Sequence, residues 1–293
     1  MKRPKILLTG ANGQVGWELQ RSLSSLGEVV AFDSQGLNLA DAKDLRDKLT
    51  VLAPQLIVNS AAYTAVDKAE SEAERAYAIN AIAPGIMAEE AARSGALLVH
   101  YSTDYVFDGS GSAPWREEDT CNPLNVYGRT KLEGERLIQH SGCRHLIFRT
   151  SWVYGARGSN FLLTMRRLMR ERPELKIVDD QIGAPTWCRD LAEATAQIIS
   201  QLGSVPNPIN AEPWGVYHMC NAGETSWHGF AQSIRGMIPD ETCALKQLMG
   251  IPSTEYPTPA QRPHNSRLDN TKLQKTFGLR LQDWQSALRL CMA

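Results

Sequence analysis

No two of the six cysteines form a C-x-x-C pair; Cys121, Cys143, Cys188, Cys220, Cys243 and Cys291 are scattered along the chain. That spacing excludes a disulfide framework and a clustered zinc site, and it reads as reduced thiols in a cytoplasmic protein. An excess of charge of either sign is also lacking. Lysines and arginines number 31 against 32 acidic residues, for a formal net charge of -1. No global field draws the chain to nucleic acid or to an anionic membrane, so any phosphate site must be local. Long apolar runs are missing too. After the basic start Met1-Lys2-Arg3, the run Ile6-Leu7-Leu8 stops at Thr9-Gly10, too short for a signal peptide, and no stretch reaches transmembrane length. Neither nucleic acid nor a membrane is therefore expected among the partners. Internal repeats and low-complexity tracts are absent. The chain has 293 residues, a length at which roughly 75% of the unfolded surface is buried on folding. One main core with a smaller appended lobe is the expectation.

The first clear pattern is Lys5-Ile6-Leu7-Leu8-Thr9, a short apolar strand running into Gly10-Ala11-Asn12-Gly13-Gln14-Val15-Gly16 and an amphipathic helix through Trp17, Leu19, Leu23 and Leu26. Glycines between strand and helix permit a tight turn, close approach of backbone to a pyrophosphate, and close packing of helix on strand; the helix N-terminus then holds the anion. The next strand, Glu28-Val29-Val30-Ala31-Phe32, ends in Asp33, placed where an acidic residue holds the adenosine ribose hydroxyls. Strands and helices then alternate: a helix over residues 42–52, a strand Leu56-Ile57-Val58-Asn59, an alanine-rich helix from about Glu72 to Arg93, and a strand over residues 96–102. Strands rich in Val, Ile and Leu, separated by helices, indicate a parallel sheet covered on both faces.

That last strand delivers Ser102-Thr103-Asp104-Tyr105 to the C-terminal edge of the sheet, where open α/β folds place their ligands. A polar loop leads to Asn125-Val126-Tyr127-Gly128-Arg129-Thr130-Lys131. Positions i and i+4 of a helix share a face, so the Tyr127 phenol and the Lys131 ammonium can act as a unit. An ammonium nearby stabilises a phenolate, bringing the tyrosine towards use as a general acid to a carbonyl oxygen. A strand over residues 145–149 follows. Beyond Thr150 the alternation loosens: a helix from Phe161 to Arg170, the segment Leu175 to Val178, a helix from Leu191 to Leu202, a proline-rich connector from Val205 to Pro213, the segment Val216 to Met219, and a late stretch in which Arg262 stands among prolines and could meet a phosphate. The predicted fold class is α/β: a Rossmann-type doubly wound parallel sheet with a smaller, interleaved C-terminal substrate-binding lobe. The dinucleotide-binding domain is assigned to 1–150 with parts of about 174–202, and the lobe to about 151–173 and 203–293.

The order of Gly10, Gly13 and Gly16, Asp33, Ser102-Thr103, Tyr127 and Lys131 resembles the extended short-chain dehydrogenase/reductase superfamily. More narrowly, Val58-Asn59 and residues 64–70, 101–107, 125–131, 148–154 and 256–266 resemble the dTDP-4-dehydrorhamnose reductases, along almost the whole chain. The resemblance implies NADPH- or NADH-dependent reduction of the 4-keto group of dTDP-6-deoxy-L-lyxo-4-hexulose to dTDP-L-rhamnose, which supplies bacterial surface polysaccharides such as the lipopolysaccharide O-antigen. It implies Tyr127 as proton donor, Lys131 lowering its pKa, and Thr103 orienting the carbonyl. The cofactor would meet Gly10, Asn12, Gly13, Gln14, Val15, Gly16, Asp33, Asn38, Leu39, Ala61, Ala62, Tyr63, Asn80, Tyr101, Tyr127 and Lys131. The dTDP-linked 4-keto-6-deoxy sugar would meet Thr103, Asp104, Tyr105, Trp152 and Arg262. A homodimer and a Mg²⁺ ion are further implications, the ion without an assignable position. Two alternatives stand beside this reading. One is another sugar-nucleotide reductase or epimerase of the superfamily; dehydratases carry an Asp-Glu pair after the threonine, where this chain has Asp104-Tyr105. The other is a non-catalytic dinucleotide-binding regulatory subunit, such as the β subunit of methionine adenosyltransferase.

Overall fold

The computed structural model describes residues 3–203 and 212–293. The proline-rich connector expected from Val205 lies, as far as residue 211, outside the described residues. In chain order the elements begin β1 (Lys5–Thr9), α1 (Gln14–Ser22), β2 (Glu28–Phe32), α2 (Ala42–Leu52), β3 (Leu56–Asn59), α3 (Val66–Ala69), α4 (Ala73–Tyr77), α5 (Ala83–Ser94), β4 (Leu97–Thr103), α6 (Val126–His140) and β5 (Arg144–Thr150). A single π-helical turn, Ala78–Ile82, joins α4 to α5, so the expected alanine-rich helix is continuous but locally wound wider.

Six strands form one all-parallel sheet in the order β2-β1-β3-β4-β5-β10, where β10 is Gly215–His218. The chain winds outward from β1 to β2, then reverses to the other side of β1 at β3. That reversal opens a crevice beyond the carboxyl ends of β1 and β3, where ligands of such sheets bind. Both faces are covered, as the continuous apolar strands require. Ile6, Leu8, Val99 and Phe148 pack on one side with Leu19 of α1, with Leu23 that caps it, and with Leu191 and Ile198 of α8 (Cys188–Leu202). Leu7, Ile57, Leu98 and Ile147 pack on the other with Leu45, Leu49, Met87 and Ile138 of α2, α5 and α6.

The remaining elements are β6 (Val153–Tyr154), α7 (Phe161–Glu171), β7 (Glu174–Val178), β8 (Ile182–Gly183), β9 (Thr186–Trp187), β11 (Thr225–Ser226), α9 (Trp227–Arg235), β12 (Gln247–Ile251), β13 (Asn265–Ser266), α10 (Thr271–Phe277) and α11 (Trp284–Met292). Of these, α7, α9 and α11 with β6 and β9 carry a separate core of Tyr154, Leu162, Met165, Trp187, Phe230, Ile234, Trp284 and Leu288, whereas Leu273 and Phe277 of α10 pack into the sheet core. Two assignments change here. The segment around Leu175, expected with the sheet domain, pairs as β7 with β12 in a small parallel ribbon of its own. Val216 to His218, expected in the lobe, instead forms the sixth strand of the main sheet against β5. Hydrophobic runs of this length do not say which strand they pair with; the partner is chosen by long-range register. Among the described residues no helix is long and apolar enough to cross a membrane.

Candidate active site

At the head of α1 the glycines are required by space. Gly10 has φ +77, and a Cβ there would come within 2.9 Å of the Ala61 backbone nitrogen; a Cβ on Gly16 would come within 2.0 Å of the Gly10 carbonyl oxygen. Any side chain would therefore push the first turn of α1 away from the ends of β1 and β3. Gly13 N–H donates to Gly10 C=O at 2.8 Å, closing the turn. Asn12 Nδ2 donates to Asp33 Oδ2 at 2.7 Å, and the other carboxylate oxygen accepts from Gln35 and Gly36 N–H. These donors hold the part-exposed Asp33 carboxyl below its usual range. The shape and donor set fit a dinucleotide: a backbone cradle for pyrophosphate and an ionised carboxylate for ribose hydroxyls. Gln14 is fixed by Asn160 Nδ2 at 2.9 Å, and Val15 packs where the sheet and lobe cores meet. Asn38 and Leu39 are engaged within the chain. The Asn38 side chain accepts from Ala40 N–H in its own turn, and Leu39 is a buried core residue.

The chemistry-bearing groups meet beyond β4. Thr103 caps a 3₁₀ turn, Asp104–Val106, by accepting from Tyr105 N–H, and it donates to Asp104 Oδ1 at 3.1 Å. Asn125 caps α6, its Oδ1 accepting from Gly128 N–H at 2.8 Å, and its amide also holds the Gln261 carbonyl at 2.7 Å. The cap sets where α6 begins and so places Tyr127 against Tyr105, ring centroids 5.5 Å apart and edge to face. Gly128 permits this approach, since a Cβ there would lie 2.2 Å from the Tyr105 carbonyl oxygen. Burial pushes the Tyr127 phenol up to about 12, opposed by its hydrogen bond with Thr103. Burial also pushes the Asp104 carboxyl up to about 6, against hydrogen bonds from Ser266 and Thr103. Asp104 Oδ2 is buried without a partner, which marks the place where a polar ligand group fits.

Lys131 is 1% exposed. Its Nζ donates to Tyr101 C=O at 2.7 Å and lies 3.1 Å from His100 Nε2. Burial lowers it to about 8 while the Glu135 charge opposes the shift. Lys131 was expected to lower the Tyr127 phenol; within the chain, burial and the Thr103 hydrogen bond are the main influences on it. Two further residues expected at the cofactor have contacts within the chain. Tyr101 contributes its carbonyl but not its ring, which packs on Phe148 while the phenol bonds Thr195 Oγ1 at 2.6 Å. Asn80 sits in the π turn and clasps the Tyr63 backbone, accepting from its N–H at 2.8 Å and donating to its C=O at 3.1 Å, with Thr130 Oγ1 at 3.2 Å. It braces Ala61-Ala62-Tyr63 at the crevice.

From the lobe, Trp152 has φ +48 and lies face to face on Trp227, centroids 3.6 Å apart. Gly183 lies under the Trp152 ring, where a Cβ would come within 2.7 Å. Arg262, expected to meet a phosphate, is already committed: its guanidinium grips Asp67 at 3.0 and 2.9 Å and ties the late loop to α3. Among the described residues no three His, Cys, Asp or Glu side chains converge in a cluster that could hold a Mg²⁺ ion. Sequence reading missed His100, Asn59, Trp227 and Glu135. Glu135 accepts from Arg149 and from Ser102 in a buried ion pair that fixes α6 to β4 and β5. An acid and a base beside the Tyr127 helix carried the signal, but pairing them needs the strand register.

The chain matches the family described as "RmlD substrate binding domain" over residues 4–293. It is 48% identical to the dTDP-4-dehydrorhamnose reductase of Burkholderia thailandensis over 292 residues, covering 98% of each protein. Among solved structures it is similar to the dTDP-4-dehydrorhamnose reductase of Clostridium acetobutylicum, with TM-score 0.90 and 38% identity over 98% of each chain. It is also similar to that of Bacillus anthracis in complex with NADP, with TM-score 0.88 and 34% identity over 99% of each chain.

Proposed function

The chain belongs to the RmlD family of dTDP-4-dehydrorhamnose reductases, and from that membership we propose that it reduces the 4-keto group of dTDP-6-deoxy-L-lyxo-4-hexulose to dTDP-L-rhamnose. The observation that carries this reading is the meeting of Thr103, Asp104 and Tyr127 beyond β4, beside the glycine cradle at β1, with Lys131 one helical turn on. A nicotinamide dinucleotide, NADPH or NADH, supplies the hydride that adds to C4. Gly10, Gly13 and Gly16 would hold its pyrophosphate and Asp33 its adenosine ribose.

Tyr127 transfers its phenolic proton to the C4 oxygen as that oxygen gains negative charge. A phenol kept protonated by burial, at about 12, is loaded at neutral pH, and its release is driven by the more basic alkoxide. Thr103 holds the phenol and the carbonyl in line. Lys131 has two N–H donors taken, by His100 and the Tyr101 carbonyl; the third is available to the cofactor ribose and to the phenolate that Tyr127 becomes. Water then returns the proton to Tyr127. Asp104, with its unpartnered oxygen, takes a sugar hydroxyl, and the part-exposed Trp152 ring meets the hexose. The Arg262–Asp67 clamp shapes the rim. Following NADPH oxidation with and without the keto-sugar tests the reading. Oxidation dependent on the sugar, with dTDP-L-rhamnose as product, supports it; cofactor binding without turnover would favour a regulatory subunit, and C4 inversion without net oxidation an epimerase.

A further inference from the structure

We infer that His100 is a positioning residue for Lys131, and that through Asn59 its imidazole changes tautomer with the charge on that lysine. The inference rests on Lys131 acting beside Tyr127, and it concerns groups behind the site rather than in it. His100 is 1% exposed on β4 and Asn59 0% exposed on β3. Asn59 Nδ2 lies 3.0 Å from His100 Nδ1, and Asn59 Oδ1 accepts from Thr9 Oγ1, at the end of β1, at 2.6 Å. Four polar groups therefore run in line beneath the crevice, from the strand that enters the glycine turn to the lysine of α6.

Hydrogen counting fixes how this line works. An ammonium has three donors and no lone pair, so opposite a charged Lys131 the His100 Nε2 must accept. Nδ1 then carries the ring proton and needs an acceptor, which the Asn59 amide supplies by turning its oxygen to the ring and its nitrogen to the Thr9 hydroxyl. The two ends of an amide are assigned by such networks. When Lys131 is a neutral amine every bond reverses: Thr9 donates to the amide oxygen, the amide nitrogen donates to Nδ1, and Nε2–H donates to Lys131. No buried contact between these groups is orphaned in either state, so the lysine can change charge without losing its place. The groups facing Lys131 are His100 from β4 and, on its own helix, Tyr127 and Glu135. Glu135, tied to Arg149, favours the ammonium, while burial disfavours it. Burial and the Lys131 charge together keep His100 neutral. A phenyl ring at position 100 would fill the space and give Lys131 nothing to hold.

Two measurements test this. In full-length protein labelled with ¹⁵N-histidine, two-bond ¹H–¹⁵N correlation spectra report the tautomer of each ring; the His100 signals are assigned by elimination against variants at the other five histidines. His100 should be the Nδ1–H tautomer at pH 6 and move to Nε2–H as Lys131 titrates near 8. An Nε2–H ring or an imidazolium at pH 6 would overturn the inference, and so would a tautomer that ignores pH up to 10. Kinetically, His100→Phe should lower kcat/KM about 10- to 100-fold, the usual cost of a misplaced group, and shift the alkaline limb of the pH profile. His100→Gln, whose amide can still accept, should restore most of both. Equal losses in the two variants with an unmoved pH profile would mean a purely structural histidine. Lys131→Ala and Tyr127→Phe separate the two readings: if both keep full turnover the proposed mechanism fails, whereas if both are inactive and His100→Phe is normal only this inference fails.

Discussion

Tyr127 and Asp33 bear the sharpest single-residue expectations. Tyr127→Phe removes one oxygen from a half-buried ring and leaves the Asn125 cap untouched, so folding and cofactor affinity should hold while kcat falls by about two to four orders of magnitude. Near-normal turnover in that variant would take Tyr127 out of the mechanism. Asp33 decides cofactor choice. Its carboxylate, ionised and held by Asn12, Gln35 and Gly36, accepts from the ribose 2′-hydroxyl of NADH and repels the 2′-phosphate of NADPH. Asp33 is also exposed enough for a phosphate to turn to solvent beside Ser34 and Gln35. Use of both cofactors is expected. A kcat/KM ratio beyond roughly a hundredfold, about 2.7 kcal/mol, for either one would refute this weighing. Both residues were legible in the sequence because their signals are local: an i, i+4 pair and an acid closing the second strand. His100 was not, because its partners Asn59 and Lys131 stand 41 and 31 positions away. The Arg262–Asp67 pairing was hidden for the same reason, its two partners being 195 positions apart.

At the scale of elements, α6 is the part whose placement decides the site, and its glycines set that placement. Gly134 lies against the π turn, where a Cβ would come within 2.2 Å of the Asn80 carbonyl oxygen. Gly134→Ala should therefore push α6 off the α4–α5 helix. The expected cost is on the order of 1–3 kcal/mol of stability, typical of overpacking, with a loss of kcat larger than any change in cofactor affinity. A variant with unchanged melting temperature and turnover would show that the close approach is not needed. The π turn could not be foreseen, since a wider turn inside an alanine-rich run has no composition of its own. The Trp152–Trp227 stack joins the end of β5 to α9 in a similar way. From sequence, Trp152→Ala should raise KM for the sugar nucleotide and leave stability alone. The stack and the fit over Gly183 add a second effect: the melting temperature should fall too, because an aromatic pair contributes about 0.5–1.5 kcal/mol beyond its buried area. Trp227→Ala, which leaves the Trp152 side chain in place but unsupported, should raise KM with little change in kcat.

The whole molecule joins a sheet domain whose first five strands were readable from alternating strands and helices to a lobe that was not, because its strands are two to five residues long and pair across large sequence separations. Where they meet, the fold keeps groups that oppose its own stability. Asp104 is the clearest case: 2% exposed, with one carboxylate oxygen unpartnered and Ser266 of β13 bonded to the other side of the group. Its folded pKa, about 6, is raised above the ordinary 3.8. The folded state therefore binds this proton more tightly than the unfolded chain, and the ionised carboxylate destabilises the fold. That penalty is absent below 3.8, grows as pH rises from 3.8 to 6, and is complete above 6. The shift corresponds to roughly 3 kcal/mol at most. Asp104→Asn removes the charge at nearly constant shape, so the variant should melt several degrees higher than the parent at pH 8, with the advantage shrinking as pH is lowered to 5. Its KM for the sugar nucleotide should rise at the same time, because the amide presents an N–H where the substrate hydroxyl needs an acceptor. Paired melting curves at pH 8 and pH 5 check the sign. A variant less stable than the parent at pH 8, or an advantage that grows towards pH 5, would mean that the Asp104 carboxylate is held by compensating contacts and is not kept at a cost for binding substrate.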